Sequence, residues 1–255
     1  MDLRLTGKTA LVTGASKGIG RAVAEGLAAE GVNVHLAART QADLDQAAAA
    51  IRKRYNVSVA THAVDLGTSA GIDKMGAACR DVDILVNNAG AIPQGGLLDL
   101  DETRWRQAWE LKLFGFINLT RHIYAAMVER KSGVIVNVVG GAATNPRPTY
   151  VAGAAANAAL DAFTVAMGRG SQAHNVRVVG VHPGLTATPR QEDLLGPQAE
   201  KKFGDRSRWR EMIDPKTTPF GRAAEAEEVA DMVIFLASER AKYTSGVMVS
   251  MTGGV

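Results

Sequence analysis

The chain has 255 residues, 46% hydrophobic and 22% charged, with a formal net charge of only +3. Its apolar content suffices for one sizeable core, while a basic excess this small, interspersed with acids, excludes a nucleic-acid footprint. Cys79 is the sole cysteine and the five histidines, at 35, 62, 122, 174 and 182, show no close ligand spacing, so no disulfide and no structural metal is expected and a reducing, cytoplasmic setting fits.

The opening "MDLRLTGKTA" has no apolar core of signal-peptide length. "TALVTG" then predicts a first strand, followed by a helix over 19–30. "VNVHLAA" and a helix over 41–54 come next, then "VSVATHAVD" with a helix over 68–79, and "VDILVNN" with a long helix over 101–130. "GVIVNVV" leads into a helix over 150–172, and "VRVVGVHP" and "GVMVSM" flank a helix over 225–238. Strands alternating with helices predict a parallel sheet covered on both faces, and right-handed crossovers wind it into a Rossmann-like, doubly wound α/β fold of strand order 3-2-1-4-5-6-7. No uninterrupted run approaches the roughly 20 apolar residues that span a bilayer, so no membrane partner is expected.

Residues 1–255 read as one domain, without linker or repeat. The one long irregular insertion, "TATPRQEDLLGPQAEKKFGDRSRWREMIDPKTTPF", covers about 186–220. It follows the carboxyl end of the sixth strand, where ligands bind in such sheets, and reads either as a substrate lid or as a solvated surface excursion.

Chemistry concentrates first in "LVTGASKGIGRA", where Gly14, Ser16, Lys17, Gly18, Ile19 and Gly20 form a strand-to-helix turn. Glycines there let the backbone approach a pyrophosphate, and the helix N-terminus offers free N–H groups and partial positive charge. This turn, "NNAG" over Asn87 to Gly90, "HPGLTAT" over His182 to Thr188 and the tail "PFGRAAEAEEVADMVIFLASERAKYTSGVMVSMTGG" together resemble the short-chain dehydrogenase/reductase family over essentially the whole chain. The tail departs from the family's usual Asp-Gly-Gly in having Thr252, Gly253 and Gly254.

The resemblance implies a nicotinamide cofactor held at named positions. Asp65 and Leu66 would hold adenine, Asn88, Ala89 and Gly90 would pass beneath the adenosine ribose, and Pro183, Gly184 and Thr188 would form the carboxamide end. The second strand ends "LAART", with no carboxylate to accept from a ribose 2′-OH, while Arg39 and Lys17 supply cations for a 2′-phosphate. NADP(H) is therefore expected in preference to NAD(H).

The resemblance is weakest where the family does its chemistry, with a helix asparagine, a serine after the fifth strand and a Y-x-x-x-K pair. Aligned with these, the chain carries Lys112 for the asparagine, Gly140 for the serine, Gly153 for the tyrosine and Asn157 for the lysine. Tyr150 precedes Asn157 by seven residues, near two helical turns, so both share a face if the helix starts that early. That spacing is similar to the Tyr/Lys spacing of enoyl-thioester reductases, a divergent branch of the family.

Two exchanges follow as expectations. Tyr150 donates to the substrate oxygen, a task a neutral tyrosine can perform for an enolate. Lys112 brings the missing cation from the neighbouring helix while Asn157 keeps the polar contact to the cofactor's ribose. Against these stand plainer roles: Tyr150 as a half-exposed residue after Pro146 and Pro148, and Lys112 reaching solvent or pairing with Glu110 or Asp161. The functional expectation is an NADP(H)-dependent oxidoreductase acting on a small carbonyl or activated alkene, with a catalytically silent NADP(H)-binding sensor or partner subunit as the alternative. The small-residue run after Val151 and the family's use of these helices imply a homotetramer or homodimer.

Overall fold

A computed structural model describes every residue except Ala91, Thr217 and Val255. Its centre is a seven-stranded parallel sheet formed by β1 (Thr9–Thr13), β2 (Asn33–Ala38), β3 (Val59–Ala63), β4 (Ile84–Asn87), β5 (Gly133–Val138), β6 (Val176–Pro183) and the last strand, β9 (Met248–Met251), in the order β3-β2-β1-β4-β5-β6-β9. This is the predicted doubly wound order, with the final strand added at the edge beside β6. Two short strands, β7 (Thr186–Ala187) and β8 (Ala224–Glu225), pair with each other and tie the two ends of the insertion together.

The strands are apolar nearly throughout because both faces are covered. On one face α1 (Gly18–Ala29), α2 (Gln41–Arg54) and α8 (Ala226–Ala237) pack around Val23, Leu27, Leu36, Leu44 and Val233. Their close approach depends on Gly26, since a Cβ there would lie 2.4 Å from Ile234 Cδ1. Leu27 is fully buried, and truncating it to alanine should cost about 2–5 kcal/mol.

On the other face α3 (Ser69–Ala78) and α5 (Gly115–Arg130) bury Ile72, Met75, Leu119, Ile123 and Met127. Beside them α4 (Glu102–Trp109), α5 and α6 (Val151–Gly170) enclose Ile92, Phe116, Val139, Ala156 and Leu160. A buried polar chain crosses this layer: Asn87 Nδ2 donates to Thr120 Oγ1 and Asn137 Oδ1, both at 3.0 Å, and Asn137 Nδ2 donates to Thr164 Oγ1 at 2.9 Å. It locks β4 and β5 to α5 and α6 directly beneath the strand ends.

Two sequence expectations change. The insertion is not irregular: it holds α7 (Pro189–Phe203), started by a proline at its first turn, and a 3₁₀ segment, Arg206–Met212. "LLGPQ" reads as a break, yet Gly196 gives the room in which Arg206 packs and Arg206 pairs with Asp193 at 3.1 Å, so tertiary contact outweighs the cost of Pro197 inside the helix. Second, α6 and its 3₁₀ continuation, Val151–His174, are long and apolar enough by length and composition to cross a bilayer. Asp161 interrupts the run, and its carboxylate bonds His182 Nε2 of β6 at 2.7 Å, tying the helix to the sheet as a core element.

Candidate functional site

The carboxyl ends of β1, β2, β4, β5 and β6 open into a groove of about 570 Å³. Fourteen of the predicted cofactor residues line it: Gly14, Ser16, Lys17, Gly18, Ile19, Arg39, Leu66, Asn88, Ala89, Gly90, Asn157, Pro183, Gly184 and Thr188. Gly14 and Gly18 have φ of +66° and +58°, a region that L side chains rarely enter. Lys17, at the N-cap of α1, makes no side-chain cap and no acid stands in the first turn, which leaves the helix N-terminus available to an anion.

Two predicted cofactor residues do not line the groove. Gly20 instead lets α1 pack on β1, because a Cβ would fall 2.3 Å from Gly14 O and 2.4 Å from Asn88 Nδ2. Asp65 turns its Oδ1 back to accept from Gly67 N at 2.9 Å, a local turn contact within its own loop. Asn88 acts through its amide as well as its backbone: Nδ2 donates to Thr13 O at 3.0 Å, while the N–H groups of Asn88 and Ala89 both donate to Thr13 Oγ1. That clamp joins β1 to β4 beneath the groove.

At the β1–β2 end of the groove Lys17 and Arg39 are both exposed, and neither is ion-paired among the described residues. The sequence reading missed Asp43, which reaches the same end from the first turn of α2 rather than from the strand terminus where a ribose-binding acid is usually sought.

At the other end Tyr150, Lys112 and Asn157 line the groove together. Lys112 lies in a π-helical turn, Glu110–Phe114, that joins α4 to α5 and is closed by the Gly115 N–H bonding back to Glu110 O. The wide turn aims the lysine inward, and its stem passes so close to Gly90 that a Cβ there would meet Lys112 Cδ at 2.7 Å. Nζ donates to Val138 O at 3.0 Å and stands 4.5 Å from the Phe116 ring centroid. Burial first, and then the Arg190 charge, hold the Lys112 pKa down at about 7. The expected alternatives, a solvent-facing lysine or a pair with Glu110 or Asp161, are not what forms.

Asn157 is 2% exposed and accepts from Gly140 N through Oδ1 at 3.1 Å. Lys112 and Asn157 are thus anchored two residues apart on the same strand end, one on Val138 O and the other on Gly140 N. Tyr150 is the residue before α6 and is half-buried, its ring folded back over the first turn. A Cβ on Gly153 would lie 2.0 Å from Tyr150 Cζ, so the tyrosine ring fills the space that a side chain at 153 would enter. Burial raises the Tyr150 pKa above its ordinary value, with the Arg190 charge opposing. Trp109 Nε1 donates to Ala152 O at 3.0 Å and fixes the start of α6 against α4.

Arg190, also missed from sequence, closes this end. Its guanidinium donates to Gly90 O at 3.4 Å and Ile92 O at 2.7 Å, pinning the first turn of α7 across the groove. A second hollow, between α3 and α5, is lined by Asp73, Glu110, Arg121 and His122.

A parallel sheet whose glycine turn, open helix N-terminus and paired cations meet at the strand ends defines a dinucleotide-binding α/β protein. Residues 8–198 match the family model for short chain dehydrogenase. The full chain is 34% identical to L-xylulose reductase of Bos taurus, covering 98% of it, and 30% identical to a 3-oxoacyl-acyl-carrier-protein reductase of Aquifex aeolicus, each covering 100% of the other. The solved structure of L-sorbose reductase from Gluconobacter frateurii, complexed with NADPH and L-sorbose, matches with a TM-score of 0.94 at 32% identity, over 100% of this chain and 98% of that one. The chain belongs to the short-chain dehydrogenase/reductase family and is an oxidoreductase of that family.

Proposed function

We propose that this protein is an NADP(H)-dependent oxidoreductase acting on a carbonyl or activated double bond of a small organic or acyl-thioester substrate, with Tyr150 as donor and Lys112 and Asn157 in support. One observation carries the reading: the Tyr150 ring stands in the space above Gly153 and faces the groove that Lys112 and Asn157 also line. Since the family's tyrosine aligns at 153, Tyr150 reaches that place from one turn earlier, and the glycine is what admits it.

The chain's residues fit the cofactor. Gly14 and Gly18 form the cradle, the open α1 terminus accepts a pyrophosphate, and Lys17 with Arg39 binds a 2′-phosphate. NADPH in the L-sorbose reductase structure supports the same choice. A nicotinamide held in this groove would supply the hydride exchange with the substrate. Tyr150 donates a hydrogen bond to the substrate oxygen as negative charge develops there. Protonated Lys112 lowers the cost of that charge from the adjoining helix, and Asn157 holds the strand end through Gly140 while its Nδ2 stays free of protein partners among the described residues. The insertion acts as a lid, with Arg190 as its latch and Gln191 and Asp193 along its inner edge.

A second reading, a silent NADP(H)-binding partner or sensor, draws on Gly140 and Gly153, which have no hydroxyl for a substrate. A cytoplasmic homotetramer or homodimer completes the proposal, and light scattering on the purified chain tests the assembly. NADPH consumption with a panel of ketoses, quinones and enoyl thioesters separates the two functions. The enzyme oxidises NADPH with at least one of them and loses at least tenfold in Tyr150→Phe; binding with no turnover on any substrate leaves the silent reading.

A further inference from the structure

Away from the groove, three ligand-type side chains meet beneath the sheet's edge. The β2–β3 register pairs Ala37 with His62, two residues along from His35, so both imidazoles project from one face. Their ring planes are within 7° of one another with centroids 5.2 Å apart, and His35 Nδ1 lies 2.9 Å from His62 Nε2, so the imidazoles meet edge to edge in a hydrogen bond. Cys79, at the end of α3, places Sγ 3.4 Å from His35 Nδ1, and the three ligand atoms all lie within 4.8 Å of one another.

We infer that His35, His62 and Cys79 form a binding site for one Zn(II) ion. Zinc bonds of about 2.0–2.1 Å to nitrogen and 2.3 Å to sulfur, at tetrahedral angles, separate two nitrogens by about 3.3 Å and nitrogen from sulfur by about 3.5 Å. Two of the separations, 2.9 and 3.4 Å, lie within a few tenths of an ångström of those values; to bind the ion, the imidazoles must also turn from facing each other so that both lone pairs converge on it, and Cys79 Sγ, within 4.8 Å of the other two ligand atoms, must draw in. Two imidazoles and a thiol without a carboxylate select a borderline-soft cation over magnesium or calcium. On coordination the Cys79 thiol proton leaves to solvent, so the ion and thiolate together carry one positive charge. Lys74, whose charge acts on His62, is the nearby cation that this charge must tolerate. Water fills the fourth position from the half-exposed His62 side, and the ion clamps edge strand β3 to β2 and α3.

The experiment titrates the chelator-treated, reduced full-length chain with Co(II), then with Zn(II). One Co(II) per chain with tetrahedral visible bands and a near-ultraviolet thiolate charge-transfer band, displaced by Zn(II) with a rise in Tm, is the expected result. Cys79→Ser should bind Co(II) without the charge-transfer band, and His62→Gln should weaken binding at least tenfold, both with unchanged circular dichroism and NADPH affinity. Absence of a tetrahedral cobalt spectrum, a charge-transfer band that survives in Cys79→Ser, or uptake of Cu(I) but not of Zn(II) and Co(II) would each overturn the assignment.

Discussion

The Tyr150 ring and Gly153 occupy the same first turn of α6 as complement and space: a Cβ on Gly153 would sit 2.0 Å from Tyr150 Cζ and 2.1 Å from Cε1. A glycine-to-alanine change inside a helix ordinarily stabilises it by about 1 kcal/mol. Here Gly153→Ala must expel the ring or overpack it, a cost of about 1–3 kcal/mol. We expect turnover to fall to the level of Tyr150→Phe with NADPH affinity unchanged, read by steady-state kinetics and cofactor titration. Parent-like turnover in Gly153→Ala would remove Tyr150 from the donor role.

Lys112 should give the protein a pH dependence of known sign. Its folded pKa of about 7 lies below the ordinary 10.5, so between those values the folded chain binds fewer protons than the unfolded one. Stability relative to Lys112→Met therefore rises as pH increases across that window, by on the order of a few kcal/mol, and is flat below it. The same deprotonation removes the supporting cation, so kcat/KM should decline as pH rises through about 7 and the variant should lose that limb. Denaturant melts and pH–rate profiles on the two proteins test both halves, and matching profiles would mean that Lys112 carries no catalytic charge.

Cofactor preference rests on exposed charges and should respond modestly to their removal. Lys17→Ala and Arg39→Ala should each weaken NADPH binding about tenfold and leave NADH binding nearly unchanged, more visibly at low salt. Asp43→Ala should move preference further toward NADPH, because it removes the carboxylate at the same end of the groove. Fluorescence titration of both dinucleotides measures the ratio; equal losses for NADH and NADPH would place these cations on the shared pyrophosphate instead.

The contact between Gly20 and Gly14 tests the turn itself. An alanine at 20 would meet Gly14 O at 2.3 Å and Asn88 Nδ2 at 2.4 Å, both held by the β1–β4 clamp. Gly20→Ala should cost about 1–3 kcal/mol and abolish dinucleotide binding with the sheet intact. Native-like binding in that variant would show that the clamp is soft.

Local patterning alone determined the alternation of strands and helices and the phosphate turn, because parallel strands buried on both faces and their glycine turns are written in short contiguous stretches; most of the remaining cofactor positions came from the family resemblance. α7 escaped that reading because Gly196 and Pro197 look like a break, and only in the folded chain does the Arg206 side chain pack over Gly196. Asp43 and Arg190 came into view only when α2 and α7 folded over the strand ends. Helical spacing alone did not decide where Tyr150 stands, since α6 starts one residue after it and the ring reaches the groove from the cap; the inward aim of Lys112 depends on a π turn and on Val138 O across the groove. Likewise His35, His62 and Cys79 are far apart along the chain and meet only through strand register and the end of α3. Periodicity fixes which face a residue occupies; which partner waits there is set by packing between elements, and that information is held by the folded chain as a whole.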